Sequence, residues 1–354
     1  MEYDANLEYL DAVAVATTWY RLGKLVTPRC TDEGRAFARR ILGKTMKEIT
    51  DMDLRGLSNT LWCIGKLKLN LEDEPVGPYL AHQMEEHVLQ GLVKNSGNIE
   101  VRNLFQIWNG LDESTYKWSP NFLKDLVKHT LAAMEGMKGT VMSPDEHFTL
   151  SYLCINLAVV INKNGQTQML GSEEVSKLAA VVGPFVEVGE GKAMFRSVNG
   201  FLVMAKLLQL PLAAEVKERL FELACTVPLI EARQQGLLHT AENLYRCTKL
   251  GYQPTVSEVM QWEQLLLKDL GGSRVDKGAV AFSWTVAALA ACRRYHPSAE
   301  LKDRLPIRRA LGEHRVSATA MVRLCKAAHT WGVPIPAEAL AVASGGRRQQ
   351  RRRQ

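Results

Sequence analysis

The stretch that decides the fold is Leu57-Ser58-Asn59-Thr60-Leu61-Trp62-Cys63-Ile64-Gly65-Lys66-Leu67. Versions of it recur along the chain. Glu242-Asn243-Leu244-Tyr245-Arg246-Cys247-Thr248-Lys249-Leu250 is a near echo, and Val198-Asn199-Gly200-Phe201-Leu202-Val203-Met204-Ala205-Lys206-Leu207 is another. The Lys-Leu pairs that close the string fall at 24–25, 66–67, 206–207 and 249–250. Weaker units lie between them at 101–111 and 150–160, and two more follow at 280–295 and 318–333. Self-similarity at a period of about 43 residues marks stacked repeats, in which each unit buries its apolar face only against its neighbours.

Each unit has the same grammar. An apolar helix carries the string and a break follows it. Pro28, Pro211, Pro254, Pro297 and Pro334 stand a few residues past their Lys-Leu anchors, where a residue without an amide cannot extend the helix. A second amphipathic stretch then leads into the next copy, as at 80–93 and 122–134, with apolar residues at three- and four-residue steps. Alternating β-branched runs joined by Asn-Gly turns are absent; Asn109-Gly110, Asn164-Gly165 and Asn199-Gly200 lie inside or beside helical patterns. The pattern predicts an all-α fold, a right-handed α-solenoid of about eight helical hairpins. The units fall near 11–28, 53–70, 97–114, 145–162, 193–211, 236–254, 279–297 and 317–334. One domain spans 1–341, and 342–354 is expected to be a disordered basic tail.

With 354 residues, 46% of them hydrophobic, the chain can bury a large core. Its uncharged apolar stretches, such as 283–292, are too short to span a bilayer, so no membrane role is expected. Cys30, Cys63, Cys154, Cys225, Cys247, Cys292 and Cys325 form no Cys-x-x-Cys pair. They read as small buried thiols rather than a zinc site or a disulfide framework. The net charge of +6 is uneven: residues 271–354 carry 16 Lys+Arg against 5 Asp+Glu, whereas 1–270 carry 28 against 33. A basic end favours contact with a polyanion through counterion release. The start is acidic, with Glu2, Asp4, Glu8 and Asp11 ahead of Arg21. Organelle presequences are rich in arginine, so either there is none here or the chain is a mature or shortened form.

Signals for catalysis are thin. In Val188-Gly189-Glu190-Gly191-Lys192-Ala193 a phosphate-binding loop would need glycine at Val186 and a hydroxyl at Ala193. His82 and His87 are off the four-residue spacing of a helical metal pair, and His147, His239 and His314 have no evident partner. No catalytic residue, cofactor or metal site is expected, and the chain does not read as an enzyme.

The wording Asn59-Thr60-Leu61-Trp62-x-x-x-Lys66-Leu67, with Tyr252-x-Pro254 completing a later copy, resembles the octotricopeptide repeat. It is similar to the helical-repeat regions of RAP-domain and FAST kinase-like organellar proteins, though no RAP domain is visible. The resemblance covers roughly residues 11–335 and is strongest at 53–70 and 236–254. It implies an α-solenoid that binds single-stranded RNA or rRNA in mitochondria or chloroplasts, with roles in transcript stabilisation, processing, translation or rRNA support. The alternative is a scaffold for proteins of a ribonucleoprotein, such as a mitochondrial ribosome. The acidic balance of 1–270 favours that alternative for the N-terminal part.

Trp62, Tyr245 and Leu202 share one column of the repeat, and Leu61, Phe105, Phe201 and Leu244 share the next. Such a stripe can stack on bases, but adjacent columns point in different directions, so Trp62 reads as core packing. Asn59, Asn103 and Asn199 also align. They read either as base-reading amides or as a ladder tying neighbouring repeats. Their invariance between units favours the ladder. Lys66, Lys206, Arg246, Lys249, Arg293, Arg294, Arg323 and Lys326, with Arg347, Arg348, Arg351, Arg352 and Arg353 of the tail, are the candidates for RNA phosphates. The competing reading is a solvated helix C-terminus, where lysine suits the helix dipole.

Overall fold

The computed structural model describes residues 4–25, 31–137, 142–165, 170–188, 192–235, 238–270, 278–292, 295–305, 307 and 318–351. The described residues are overwhelmingly helical and contain no strand. The chain divides into two compact units, Met1–Val216 and Lys217–Gln354.

In the first unit, helices that carry the recurring string alternate with helices that do not. The motif helices are α1 (Ala12–Leu25), α3 (Leu54–Leu67), α5 (Val101–Glu113), α7 (Pro144–Lys163) and α9 (Lys192–Leu207). Between them run the backing helices α2 (Thr31–Glu48), α4 (Gly77–Lys94), α6 (Pro120–Gly136) and α8 (Ser172–Val188). Each motif helix packs against the next in sequence, α1 on α3, α3 on α5, α5 on α7 and α7 on α9. The backing helices form a second, looser series, α2 on α4, α4 on α6 and α6 on α8. The second unit contains α10 (Ala214–Gln235), whose first turn precedes the boundary, α11 (Leu238–Lys249), α12 (Val256–Leu270), α13 (Gly278–Ala291), α14 (Ala299–Asp303), α15 (Ala318–Thr330) and α16 (Ala337–Arg351). There α11 packs on α13, α13 on α15 and α15 on α16. Helix α16 buries Ala339 and Ala343 in its apolar first turns, and its bounds reach Arg351.

Glycines explain why the motif helices sit so close. A Cβ on Gly110 would lie 2.5 Å from the Leu61 carbonyl oxygen and 2.9 Å from the Trp62 nitrogen. A Cβ on Gly65 would strike the Gly110 backbone in return, and one on Gly200 would lie 2.6 Å from Ser151 Cα. The backbones of α3 and α5, and of α7 and α9, thus meet where no side chain intervenes. The core around these seams is made by Leu57, Leu61, Ile64, Leu104, Ile107 and Trp108, all 0–1% exposed.

Four of the breaks after an anchor share a physical form. Lys68 (φ 52°), Gln209 (φ 50°), Gly251 (φ 101°) and Gly332 (φ 68°) are left-handed. The next residue's amide then donates back to the carbonyl five residues earlier: Leu69 to Ile64, Leu210 to Ala205, Tyr252 to Cys247 and Val333 to Ala328, at 2.8–3.1 Å. This is the Schellman closure, which satisfies the last carbonyls of a helix. Pro211, Pro254 and Pro334 follow it in the loops, as the spacing predicts; Pro28 lies outside the described residues. N-terminal caps complete the helices. Asp53 accepts from the Gly56 amide at 2.7 Å, Ser119 caps α6, and Ser143 with Glu146 forms a reciprocal capping box on α7.

Within hairpins, a buried tryptophan is pinned by a threonine of the backing helix. Trp19 Nε1 donates to Thr45 Oγ1 at 2.8 Å, and Trp108 Nε1 donates to Thr130 Oγ1 at 2.9 Å. Trp19, Trp108 and Trp262 are fully buried. Trp62, expected in the core, is only half-buried: one edge of its ring packs on Gly23 of α1, whose missing side chain makes room for it.

Candidate functional site

The half-buried Trp62 belongs to a cluster on the outer face of the motif helices. Tyr20 of α1 lies 6.0 Å from its ring centroid. Lys66 sits over the Trp62 ring at 4.9 Å and donates from Nζ to the Gly23 carbonyl at 2.5 Å. Lys24 is 5.4 Å from the Tyr20 ring and 5.9 Å from the Trp62 ring. Arg102 reaches from α5 across α3 to α1, where its guanidinium donates to the Tyr20 hydroxyl at 3.0 Å. Burial of Tyr20 raises its pKa, but Lys24 and Arg102 outweigh that and hold the phenol below its usual range. The local field is positive.

The arrangement repeats. Tyr20 and Lys24, Trp62 and Lys66, and Tyr245 and Lys249 are each four apart, and in each pair the ammonium lies over the ring at 4.9–5.4 Å. One helical turn brings an aromatic residue and the anchor lysine together, and a cation above a ring is attracted by its quadrupole. Leu202 and Lys206 are the apolar version on α9. One turn beyond Arg102, Phe105 meets Tyr152 of α7 at 6.2 Å, and Tyr152 meets Phe148 at 4.6 Å. Phe148 and Tyr152 are 46% and 41% exposed. Rings thus continue from α1 to α7, and cations accompany them as far as α5.

In the first unit the motif helices are poorer in acidic residues than the backing helices. Helices α1 and α3 carry Arg21, Lys24, Arg55 and Lys66 and no acidic residue. The five motif helices of the first unit hold nine Lys+Arg against four Asp+Glu. The four backing helices hold nine against ten. In the second unit α11, α13 and α15 hold four against one. The acidic balance of residues 1–270 resides in the other elements.

The aligned asparagines are not equivalent. Asn59 is half-buried and its Oδ1 accepts from Gln106 Nε2 at 2.8 Å. Gln106 and Asn103, 4% and 8% exposed, meet the fully buried Ser58 hydroxyl at 3.3 and 3.4 Å. This polar seam joins α3 to α5 beside the glycine contact. Asn199 has a buried Oδ1 with no hydrogen-bond partner.

The other expected phosphate contacts differ in exposure. Lys206, Lys249 and Lys326 are exposed, while Arg246 and Arg323 are half-buried. Arg347, Arg348 and Arg351 lie on the backbone of α16, and Arg293, Arg294, Arg352 and Arg353 fall outside the described residues. Sequence reasoning missed Tyr20, Lys24, Arg102, Phe148 and Tyr152. A signal for the first two was present, since Tyr20-x-x-x-Lys24 has the spacing of Trp62-x-x-x-Lys66. Arg102 was illegible because its partner lies 82 residues away.

Among the described residues no group of three or more His, Cys, Asp or Glu is placed to hold a metal ion. No helix among them is long and apolar enough to cross a membrane. Burial pushes the Cys63 thiol up to about 12, against the opposing pull of Lys66, so this cysteine stays protonated. Compared with known proteins, the chain matches no family model, no curated protein and no solved structure.

Proposed function

We propose that the protein is a non-catalytic helical-repeat RNA-binding protein whose motif-helix face receives a single strand. The observation that carries this reading is the interleaving of cations, exposed Lys24 and Arg102 and half-buried Lys66, with aromatic rings across α1, α3 and α5, the rings continuing to α7. Phosphates meet Lys24, Lys66 and Arg102, and bases meet the rings, above all the exposed Phe148 and Tyr152. The helix pairs of Met1–Val216 are read as successive turns of a right-handed α-solenoid, part of a series of about eight. The organellar setting, mitochondrion or chloroplast, and a role in transcript stabilisation, processing, translation or rRNA support rest on the octotricopeptide wording of 53–70 and 236–254.

The test is binding of the full chain to single-stranded RNA over a salt series. Each phosphate contact contributes about 0.7 to the slope of log affinity against log salt. Lys24→Ala and Arg102→Ala each lower that slope by about 0.7, since both side chains are exposed. A second variant carries serine at Arg347, Arg348, Arg351, Arg352 and Arg353, and it retains binding. Loss of all binding in that variant, or no binding at low salt by the natural chain, overturns the reading. The scaffold reading then takes its place. It has one observation of its own: Val256 and Met260, one turn apart on α12, are 71% and 56% exposed.

A further inference from the structure

Of the three aligned asparagines, one is built to face a ligand. Asn103 is 8% exposed and spends its oxygen on the Ser58 hydroxyl. Asn199 keeps its oxygen buried. Asn59 has its Oδ1 tied inward by Gln106, a residue itself 4% exposed and held in the α3–α5 seam. That bond determines which end of the amide points out. Asn59 Nδ2 has no partner among the described residues and is not fully buried. Along α3 it shares the face of Arg55, Trp62 and Lys66, at steps of four, three and seven residues. Arg102 crosses this helix on its way to Tyr20.

We propose that Asn59 determines base preference at this face, donating from Nδ2 to a carbonyl oxygen of a base whose phosphates lie on Lys66 and Arg102. The inference rests on the RNA-binding reading above. With Oδ1 turned inward to Gln106, the end of the amide that faces outward is the NH2 donor. It therefore selects a base with a keto group at that edge, uracil or guanine, over one with an amino group there, cytosine or adenine. The buried network behind it supplies the rigidity that selection needs.

The experiment compares the affinities of the full chain for short oligo(U) and oligo(C), bases of equal size. The natural chain prefers oligo(U) by about three- to tenfold, the worth of one hydrogen bond. Asn59→Ala brings the ratio near one while leaving oligo(C) affinity almost unchanged. Asn59→Asp presents an acceptor and inverts the ratio; its added charge weakens both ligands alike and cancels in the comparison. A uracil preference that survives both substitutions, or no preference in the natural chain, overturns the proposal while leaving RNA binding intact. Failure to bind either oligomer overturns the RNA-binding reading itself.

Discussion

Gly110→Ala tests the central packing claim, because the sign of its effect opposes helix propensity. Alanine in a helix interior is favoured over glycine by about 1 kcal/mol. At Gly110 the added methyl would sit 2.5 Å from the Leu61 oxygen, 2.7 Å from its carbonyl carbon and 2.9 Å from the Trp62 nitrogen. Ordinary contact begins near 3.4 Å, so α3 and α5 must separate by about 1 Å. The obstruction is backbone on a well-packed helix, which has no rotamer to yield. Overpacking of this kind costs about 1–3 kcal/mol. Separation also stretches the 2.8 Å bond from Gln106 to Asn59, worth about 1 kcal/mol. After the propensity gain, the net loss is roughly 1–3 kcal/mol, with a fall in melting temperature of about 2–4 °C per kcal/mol for a unit of this size. Gly43→Ala is the control: it too is helical, but its Cβ would meet nothing within 4 Å, and it gains about 0.5–1 kcal/mol. Urea and thermal unfolding followed by tryptophan fluorescence and circular dichroism read both. A Gly110→Ala chain as stable as the natural one would refute the close-contact account of the motif layer.

Two further predictions concern helix ends. Lys68 holds φ 52° at the end of α3 without being glycine, so Lys68→Gly raises stability by about 0.5–1 kcal/mol; an unchanged or lower urea midpoint would contradict the left-handed closure. Burial raises the Glu258 pKa, but hydrogen bonds from the Tyr252 hydroxyl and from the amide and hydroxyl of Thr255, each 2.7 Å, outweigh it and hold the carboxyl below its usual range. A depressed folded pKa adds stability above the unfolded value of about 4.3, and that stability is lost as pH falls through the folded value. Glu258→Gln therefore narrows the difference in melting temperature between about pH 7 and about pH 3; equal acid sensitivity in both chains would count against this cap.

What could be read in advance follows from which interactions are local. Helices and their breaks depend on residues within a few positions of one another, so Lys-Leu anchors and prolines mark them directly. The aromatic-to-lysine step is also local, and Tyr20-x-x-x-Lys24 was as legible as Trp62-x-x-x-Lys66. The placement of Trp62 was not. A large apolar residue in a helix of buried leucines reads as core, and only the notch at Gly23, 39 positions earlier, draws its ring to the surface of α1.

The sequence by itself determined the helices, their ends and the alternation of two kinds of helix, because backbone hydrogen bonding and one-turn spacing need no distant partner. Which helix faces which was decided only by tertiary structure. Glycine against backbone sets the rotation of α5 on α3, and that rotation puts Gln106 rather than Asn103 opposite Asn59. It also carries Arg102 over α3 to Tyr20. The scarcity of acidic residues on the motif layer, four against ten on the backing helices with equal numbers of Lys+Arg, is likewise hard to see along the chain, since the two kinds of helix alternate. In three dimensions the helices of each kind stack on one another, and the difference between the two layers emerges.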